Sequence, residues 1–280
     1  MREFFILNEK GEKFLLNDIK NYCFLTDPSG LGLNYKREYS QVGSSFFQNN
    51  FKIEQQQISA ELNFKNYTNY NIFVNFCTLA KELKLAYKIF INLTEKIYYR
   101  DFDIDSLTKN EIDNIYLKTK INMIMKTAWY EAQEVTYTIE KEENEITWDF
   151  KWDSVFSGYD VRNLIFENKG HVEAPFLLEI NGGVENPKIQ ILDGNNNIIN
   201  ELYLNNLTIQ TGEKLLFCTK DTDLYIFKKT ETETINLFNT LSLNNTNFFK
   251  LPIGLSQIRL SGDSDITSAK LTIYVYFLSV

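Results

Sequence analysis

Three aspartates at alternate positions, Asp101, Asp103 and Asp105, are the first residues of this chain whose type and spacing suggest chemistry. Such a run opens the calcium loop of helix–loop–helix proteins, which also needs glycine at its sixth position and a bidentate glutamate at its twelfth. The chain has Ser106 and Ile112 there, and Glu111 falls one residue short. The three carboxylates therefore read as exposed positions on a strand and its following turn. Nucleophilic catalysis of the Ser/His/Asp kind has one imidazole to draw on, His171 beside the turn Lys169-Gly170. It reads as a surface or hydrogen-bonded turn residue. The 37 acidic residues allow many carboxylate pairs, and no spacing singles one out for glycoside hydrolysis. Neither phosphate-cradling glycine motif is present, since Gly30-Leu-Gly32 lacks the rest of the dinucleotide fingerprint. Cys23, Cys77 and Cys218 are widely spaced and odd in number, and with one His they form no zinc set. They read as reduced, mostly buried thiols. Sequons at Asn92-Leu-Thr94 and Asn206-Leu-Thr208 are expected by chance in so asparagine-rich a chain. The sequence assigns no catalytic residue, metal ligand or cofactor and singles out no binding residue. The chain reads as a non-enzyme.

The elements that would hold any site are mostly β-strands. Aromatic side chains suit a pleated, half-buried surface, and the chain has 22 Phe and 16 Tyr. With 280 residues it can form one large or two ordinary domains around a sizeable core. Its net charge of −8 argues against a general nucleic-acid binder. No stretch approaches 18 uncharged apolar residues, so no membrane span or insertion is expected. The start Met-Arg-Glu-Phe-Phe has no long apolar core and does not read as a signal peptide, so folding in a cytoplasm is expected.

Taken in order, Phe4 to Leu7 and Lys13 to Leu16 form a hairpin with Gly11 at its turn. Asp27-Pro-Ser-Gly30 is a turn signal feeding an alternation of Leu31, Leu33 and Tyr35. Ser44 to Phe47 and Phe51 to Phe64 are strands. In the second, Ile58, Ala60, Leu62 and Phe64 share a face, the clearest period-two signal in the chain. A helix over about 69–85 carries Ile72, Phe73, Phe76, Leu79, Ala80 and Leu83 at i, i+3, i+4 spacing, with Thr68 or Asn69 as N-cap. Its Phe73, Phe76 and Leu83 should face a sheet. Tyr87 to Ile91, Ile97 to Ile104 and Ile115 to Met125 follow as strands, and Trp129-Tyr130 covers the end of a first domain, 1–132. Beyond a polar turn at Glu140 to Glu145 and a strand at Ile146 to Phe150, short strands alternate with turn signals at Gly170, Gly182, Asp193-Gly194, Gly212, Gly254 and Gly262. That cadence predicts a β-sandwich over 133–280, closed by Leu271 to Leu278.

Ser157 to Ile189 is the most informative stretch. It reads as a hairpin of Val161 to Glu167 and Phe176 to Ile180, with Ile165, Phe176, Leu178 and Ile180 as its apolar pattern. Pro175 precedes the second strand, where a missing N–H does least harm. The order Asn168-Lys-Gly170, Glu173-Ala-Pro175, apolar strand, Asn181-Gly-Gly183, Asn186-Pro187 resembles the opening of the C-terminal, galectin-like domain in distal tail proteins of long-tailed bacteriophages. The N-terminal half is similar to the same family. It has a hairpin of the Asn-x-x-Gly type at Asn8 to Gly11, then Gly30-Leu-Gly32, then a polar stretch entering an aromatic strand at Gly43-Ser-Ser-Phe46-Phe47. A Leu-Thr-Lys-x-Glu element lies within Asp105 to Ile112, and Trp129-Tyr130 ends the domain.

The resemblance implies a mainly β fold: an N-terminal antiparallel β-barrel or sandwich with one packed helix, then a galectin-like β-sandwich. It implies a structural tail protein, a homohexameric ring built by the first domain, with the tail tube above and the tail-associated tip or lysin protein below. Receptor-binding or baseplate proteins would be mounted at the periphery, by the second domain. The place would be the tail tip or baseplate of a virion assembled in the bacterial cytoplasm. Tight nucleic-acid binding is not expected, and a weak carbohydrate contact fits the sandwich and its many aromatics. The alternatives are a carbohydrate-binding module or lectin-like adhesion protein, another tail or baseplate component, and a glycosidase or peptidase domain, for which no constellation is visible.

Overall fold

The structure, a computed structural model, describes residues 3–18, 23–91, 94–113, 116–138, 162–241, 248–263, 266 and 268–280. The turn at Glu140 to Glu145, the strand at Ile146 to Phe150, and Val161 lie outside them. Among the described residues the chain is mostly antiparallel strand with one α-helix. It divides into two compact units, Met1–Glu131 with Tyr276–Val280, and Ala132–Val275.

In the first unit, β1 (Glu3–Asn8) and β2 (Lys13–Leu15) pair in the hairpin the sequence predicts. The Asn8 side-chain oxygen accepts from the backbone N–H groups of Lys10 and Glu12, and Gly11 supplies the positive φ that closes the turn. After β3 (Asn17–Asp18) comes β4 (Cys23–Ser29). Here the turn signal of Asp27-Pro-Ser-Gly30 becomes a bulge between Thr26 and Ser29, with Asp27 at positive φ. Leu31 and Leu33 are not strand residues, contrary to the alternation they display. The chain re-extends only at β5 (Tyr35–Val42), which pairs with β6 (Ser45–Ile53) as a separate two-stranded ribbon. The single strand expected from Phe51 to Phe64 is thus broken. β7 (Gln57–Phe64) starts anew and buries Ile58, Ala60, Leu62 and Phe64 as predicted.

The helix α1 (Tyr67–Leu79) is shorter than 69–85 and starts earlier. Its N-cap is Asn66, whose backbone is extended and whose side chain accepts from Asn69 N–H at 3.0 Å, not Thr68 or Asn69. It ends because Ala80 turns extended, and the Glu9 carboxylate takes the N–H groups of Lys81 (3.0 Å) and Glu82 (3.4 Å) at the corner. Leu83 and Leu85 then point inward from a strand, β8 (Leu83–Ile91). Phe73 is fully buried against Phe14 and Phe64, whereas Phe76 is only partly buried against the same core.

The spine of the unit is β9 (Thr94–Asp113). Its first half pairs with β8, from Thr94 to Phe102, and its second with β10 (Tyr116–Met125), from Phe102 to Asp113. β10 also pairs with β7, β7 with β4, and β8 with β1. Tyr130, near the start of β11 (Trp129–Thr138), pairs with Tyr99. The core between the strands and α1 includes Ile6, Leu16, Leu62, Phe64, Phe73, Phe102 and Trp129.

The described residues of the second unit form two antiparallel sheets and a small pair. One sheet contains the sequence β20 (Thr234–Asn236), β19 (Asp223–Lys229), β18 (Lys214–Lys220), β13 (Phe176–Asn181) and β22 (Ser268–Phe277). The other runs β12 (Arg162–Asn168), β21 (Gly254–Ser261), β15 (Lys188–Leu192) and β16 (Ile198–Tyr203). β14 (Val184–Glu185) pairs with β17 (Thr208–Ile209).

The expected hairpin of β12 and β13 does not form, since the two strands lie in different sheets. Asn168 explains the divergence. Its amide donates to the carbonyls of Val172 (3.0 Å) and Leu251 (3.3 Å), and its oxygen accepts from Gly170 N–H (2.9 Å). Ala174 then bridges Leu251, so the chain crosses to the second sheet. The strand phase differs too. Leu164 and Phe166 are buried, and Ile165, expected inside, is 64% exposed.

Candidate assembly surfaces

The residues that suggested chemistry are placed as structure. Asp101, Asp103 and Asp105 alternate along β9 and are not followed by a turn. Asp101 accepts the Tyr130 hydroxyl at 2.9 Å, Asp103 pairs with Lys126 at 3.1 Å, and Asp105 accepts from the Gln57 amide at 3.4 Å. Among the described residues no three His, Cys, Asp or Glu side chains gather as metal ligands. His171 is exposed in the turn that follows β12. The three cysteines are free and buried. Burial pushes the Cys77 thiol up to about 12 and Cys23 higher still, with Cys77 itself adding to the shift of Cys23. Thiols so far from ionisation are poor nucleophiles. Arg100 is buried with its guanidinium 5.5 Å from the Trp129 ring and its Nε donating to Thr127 O at 2.6 Å. Burial lowers its pKa to about 10.

What the described surface offers instead is apolar area. Every residue of β5 and β6 is exposed. The register pairs Tyr35 with Ile53, Arg37 with Phe51, Tyr39 with Gln48 and Gln41 with Phe46. Because side chains alternate across a ribbon, Tyr35, Tyr39, Phe46, Phe51 and Ile53 share one face. Phe46 and Phe51 are an odd number of positions apart. The bulge between Glu38 and Tyr39 absorbs the mismatch and keeps them together. Tyr35 stacks on Phe51 at 4.8 Å, and Arg37 lies over both rings. The tip turns at Gly43, and near it Phe46 is 67% exposed.

Beside α1 lies an open cleft of about 550 Å³, lined by Tyr70, Val74, Thr78, Leu83, Ile104 and Leu107 among others. Leu79 on the same helix is 81% exposed. In the second unit, the outward face of the four-stranded sheet exposes Ile165, Leu255 and Ile198. On the other sheet, Tyr225 contributes to a smaller cleft with Glu179, Lys214 and Lys229. Phe46 and Phe47 lie on a strand, as expected, but the ribbon they belong to was not expected from the sequence. Its available signal was Gly43 between two alternating runs, one phase-shifted by the bulge.

In overall fold the chain is similar to proteins of phage baseplates. A chain in the baseplate of phage P2, in its activated conformation with calcium, matches over 100% of both chains with a TM-score of 0.69 and 17% identity. The Dit protein of SPP1, described as a paradigm of the hub adsorption apparatus in phages infecting Gram-positive bacteria, matches with a TM-score of 0.60 and 8% identity. That match covers 97% of this chain and 98% of the other. No curated protein matches the sequence at a significant level. The chain thus shares a mainly antiparallel β fold with these proteins. Residues 3–126 match the family described as distal tail protein, N-terminal domain.

Proposed function

We propose that this chain is the hub of a phage tail tip, six copies of which close into a ring through the first unit. The tail tube stacks on one side of the ring and the tail-associated tip or lysin protein on the other. The second unit, a galectin-like sandwich on this reading, projects outward and mounts receptor-binding or baseplate proteins. The protein acts by assembly and not by catalysis, in a virion tail assembled in the host cytoplasm, with no membrane insertion and no tight nucleic-acid binding.

The observation that carries the reading is the ribbon of residues 35–53. A fully exposed ribbon with an aromatic face, on a distal tail protein N-terminal domain, is surface that a subunit partner would cover. Native mass spectrometry of the full chain tests it. A six-copy species is expected, and a monomer at micromolar concentration would exclude the ring.

A weak carbohydrate contact is the second reading. It is favoured by the cleft in which Tyr225 stands beside Glu179 and Lys214, an aromatic ring near polar groups. Glycan-array binding that Tyr225→Ala abolishes is its expected sign.

A further inference from the structure

We propose that the first unit binds a small monovalent anion, of halide size, between the side chains of Arg100 and Trp129. The inference does not depend on the ring reading.

Two buried donors carry it. Arg100 is 4% exposed and Trp129 is fully enclosed. The Arg100 Nε donates to Thr127 O, but its Nη1 and the Trp129 indole Nε1 find no acceptor within the protein. Buried polar groups are as a rule hydrogen-bonded, so two orphan donors in one place call for an acceptor. Among the described residues no carboxylate pairs with the guanidinium. Asp101, its neighbour in the chain, leaves β9 on the other face and accepts the Tyr130 hydroxyl. A guanidinium stays protonated at neutral pH, so a buried positive charge is left to be offset. The Trp129 ring lies 5.5 Å from the guanidinium carbon and offsets part of that charge. Its π face gives Nη1 no lone pair, and the indole N–H can only donate.

The main chain gathers a third polar side chain at the same end of the core. Gln56 O accepts from Met125 N–H at 2.9 Å, and Lys126 N–H donates to Asp101 O at 2.8 Å. Asp101 N–H donates to the Thr127 hydroxyl at 3.0 Å. Gln56 is 3% exposed, and its Oε1 also lacks a partner. Turning that amide end for end presents its NH2 group as a further donor.

Charge sets the class of ligand. One guanidinium calls for one negative charge, and sulfate or phosphate would leave a surplus charge beside Phe102 and Met125 of the apolar core. A water molecule could accept both N–H groups but would leave the cation without a counter-charge.

The test uses the full chain, with bromide as the probe. Crystals grown in gluconate and soaked in sodium bromide should show an anomalous peak within hydrogen-bond reach of Arg100 Nη1 and Trp129 Nε1. Peaks at surface lysines alone would be an adventitious ion only and would overturn the proposal, as would density at the site without anomalous signal. In solution, the melting temperature should be higher in sodium chloride or bromide than in sodium gluconate of equal ionic strength. Each tenfold rise in halide above its dissociation constant should add a similar step. Trp129→Phe keeps a ring and removes the indole donor, so it should at least halve that step. Equal steps in the variant and the unsubstituted chain would place the halide elsewhere.

Discussion

Phe73 and Phe76 sit on the same helix and make different demands on the core. Phe73 is fully buried between the rings of Phe14 and Phe64, at 5.2 and 5.5 Å. Phe73→Ala should therefore cost about 3–5 kcal/mol in a denaturant melt. Phe76 is only partly buried, so its removal should cost clearly less, and equal costs would mean that the inward face is misassigned. The charged residues make a pH prediction. Hydrogen bonds from Lys228 Nζ, at 2.6 Å, and from Gln210 N–H, at 2.7 Å, hold the Glu213 carboxyl below its ordinary 4.5. A carboxyl depressed in the folded state stabilises above its unfolded pKa and loses that contribution as pH falls through the folded one. The melting temperature should drop below about pH 4.5, and Glu213→Gln should flatten part of that acid limb. Side-chain direction was legible only where polar residues mark the phase. Ile58, Ala60, Leu62 and Phe64 alternate with Ser59, Glu61 and Asn63, and all four are buried. Leu164-Ile165-Phe166 is an unbroken apolar run that carries no phase, and pairing with β21 decided which side faces in.

At the scale of elements, α1 was legible as a helix from its i, i+3, i+4 stripe, but its ends were not. Leu83 lies two helical turns beyond Phe76 and also alternates with Leu85 and Tyr87. The strand wins because β8 completes ladders with both β1 and β9. At the other end, Asn66, Thr68 and Asn69 are all plausible caps by type. Only Asn66 has its oxygen on a helical N–H, that of Asn69. Asn66→Ala should thus lower stability by about 1 kcal/mol, while Thr68→Ala should leave the cap intact. Equal losses in the two variants, measured by chemical unfolding, would remove Asn66 from that role. The ribbon escaped the sequence for a related reason. Alternation is read by assuming that the apolar face is buried, and here that face is exposed in the single chain. The hairpin of β12 and β13 failed because short strands with a glycine between them can join two sheets as readily as one. A long-range bond from Asn168 to Leu251 made the choice.

For the whole molecule, the sequence predicts a first domain over 1–132 and a second to the end of the chain, and the grouping of Tyr276–Val280 with the first unit was not legible. A closing strand reads the same wherever its last residues pack, here Phe277 against Tyr98. The net charge makes a claim at this scale that no single residue makes. If six copies close into a ring, each at −8, the assembly carries −48. In such a ring on a phage tail, duplex DNA would pass through the centre. DNA is a dense polyanion held by Lys and Arg that displace its counterions. A channel lined with those side chains would retain the genome during ejection, whereas neutral or acidic walls would let it slide. The assembled ring should accordingly show no appreciable affinity for duplex DNA at physiological salt, in a filter-binding or anisotropy assay. It should gain affinity when acidic residues of the channel wall are replaced by lysine. Binding by the unsubstituted ring that weakens steeply as salt rises would place the cations inside and reverse the assignment.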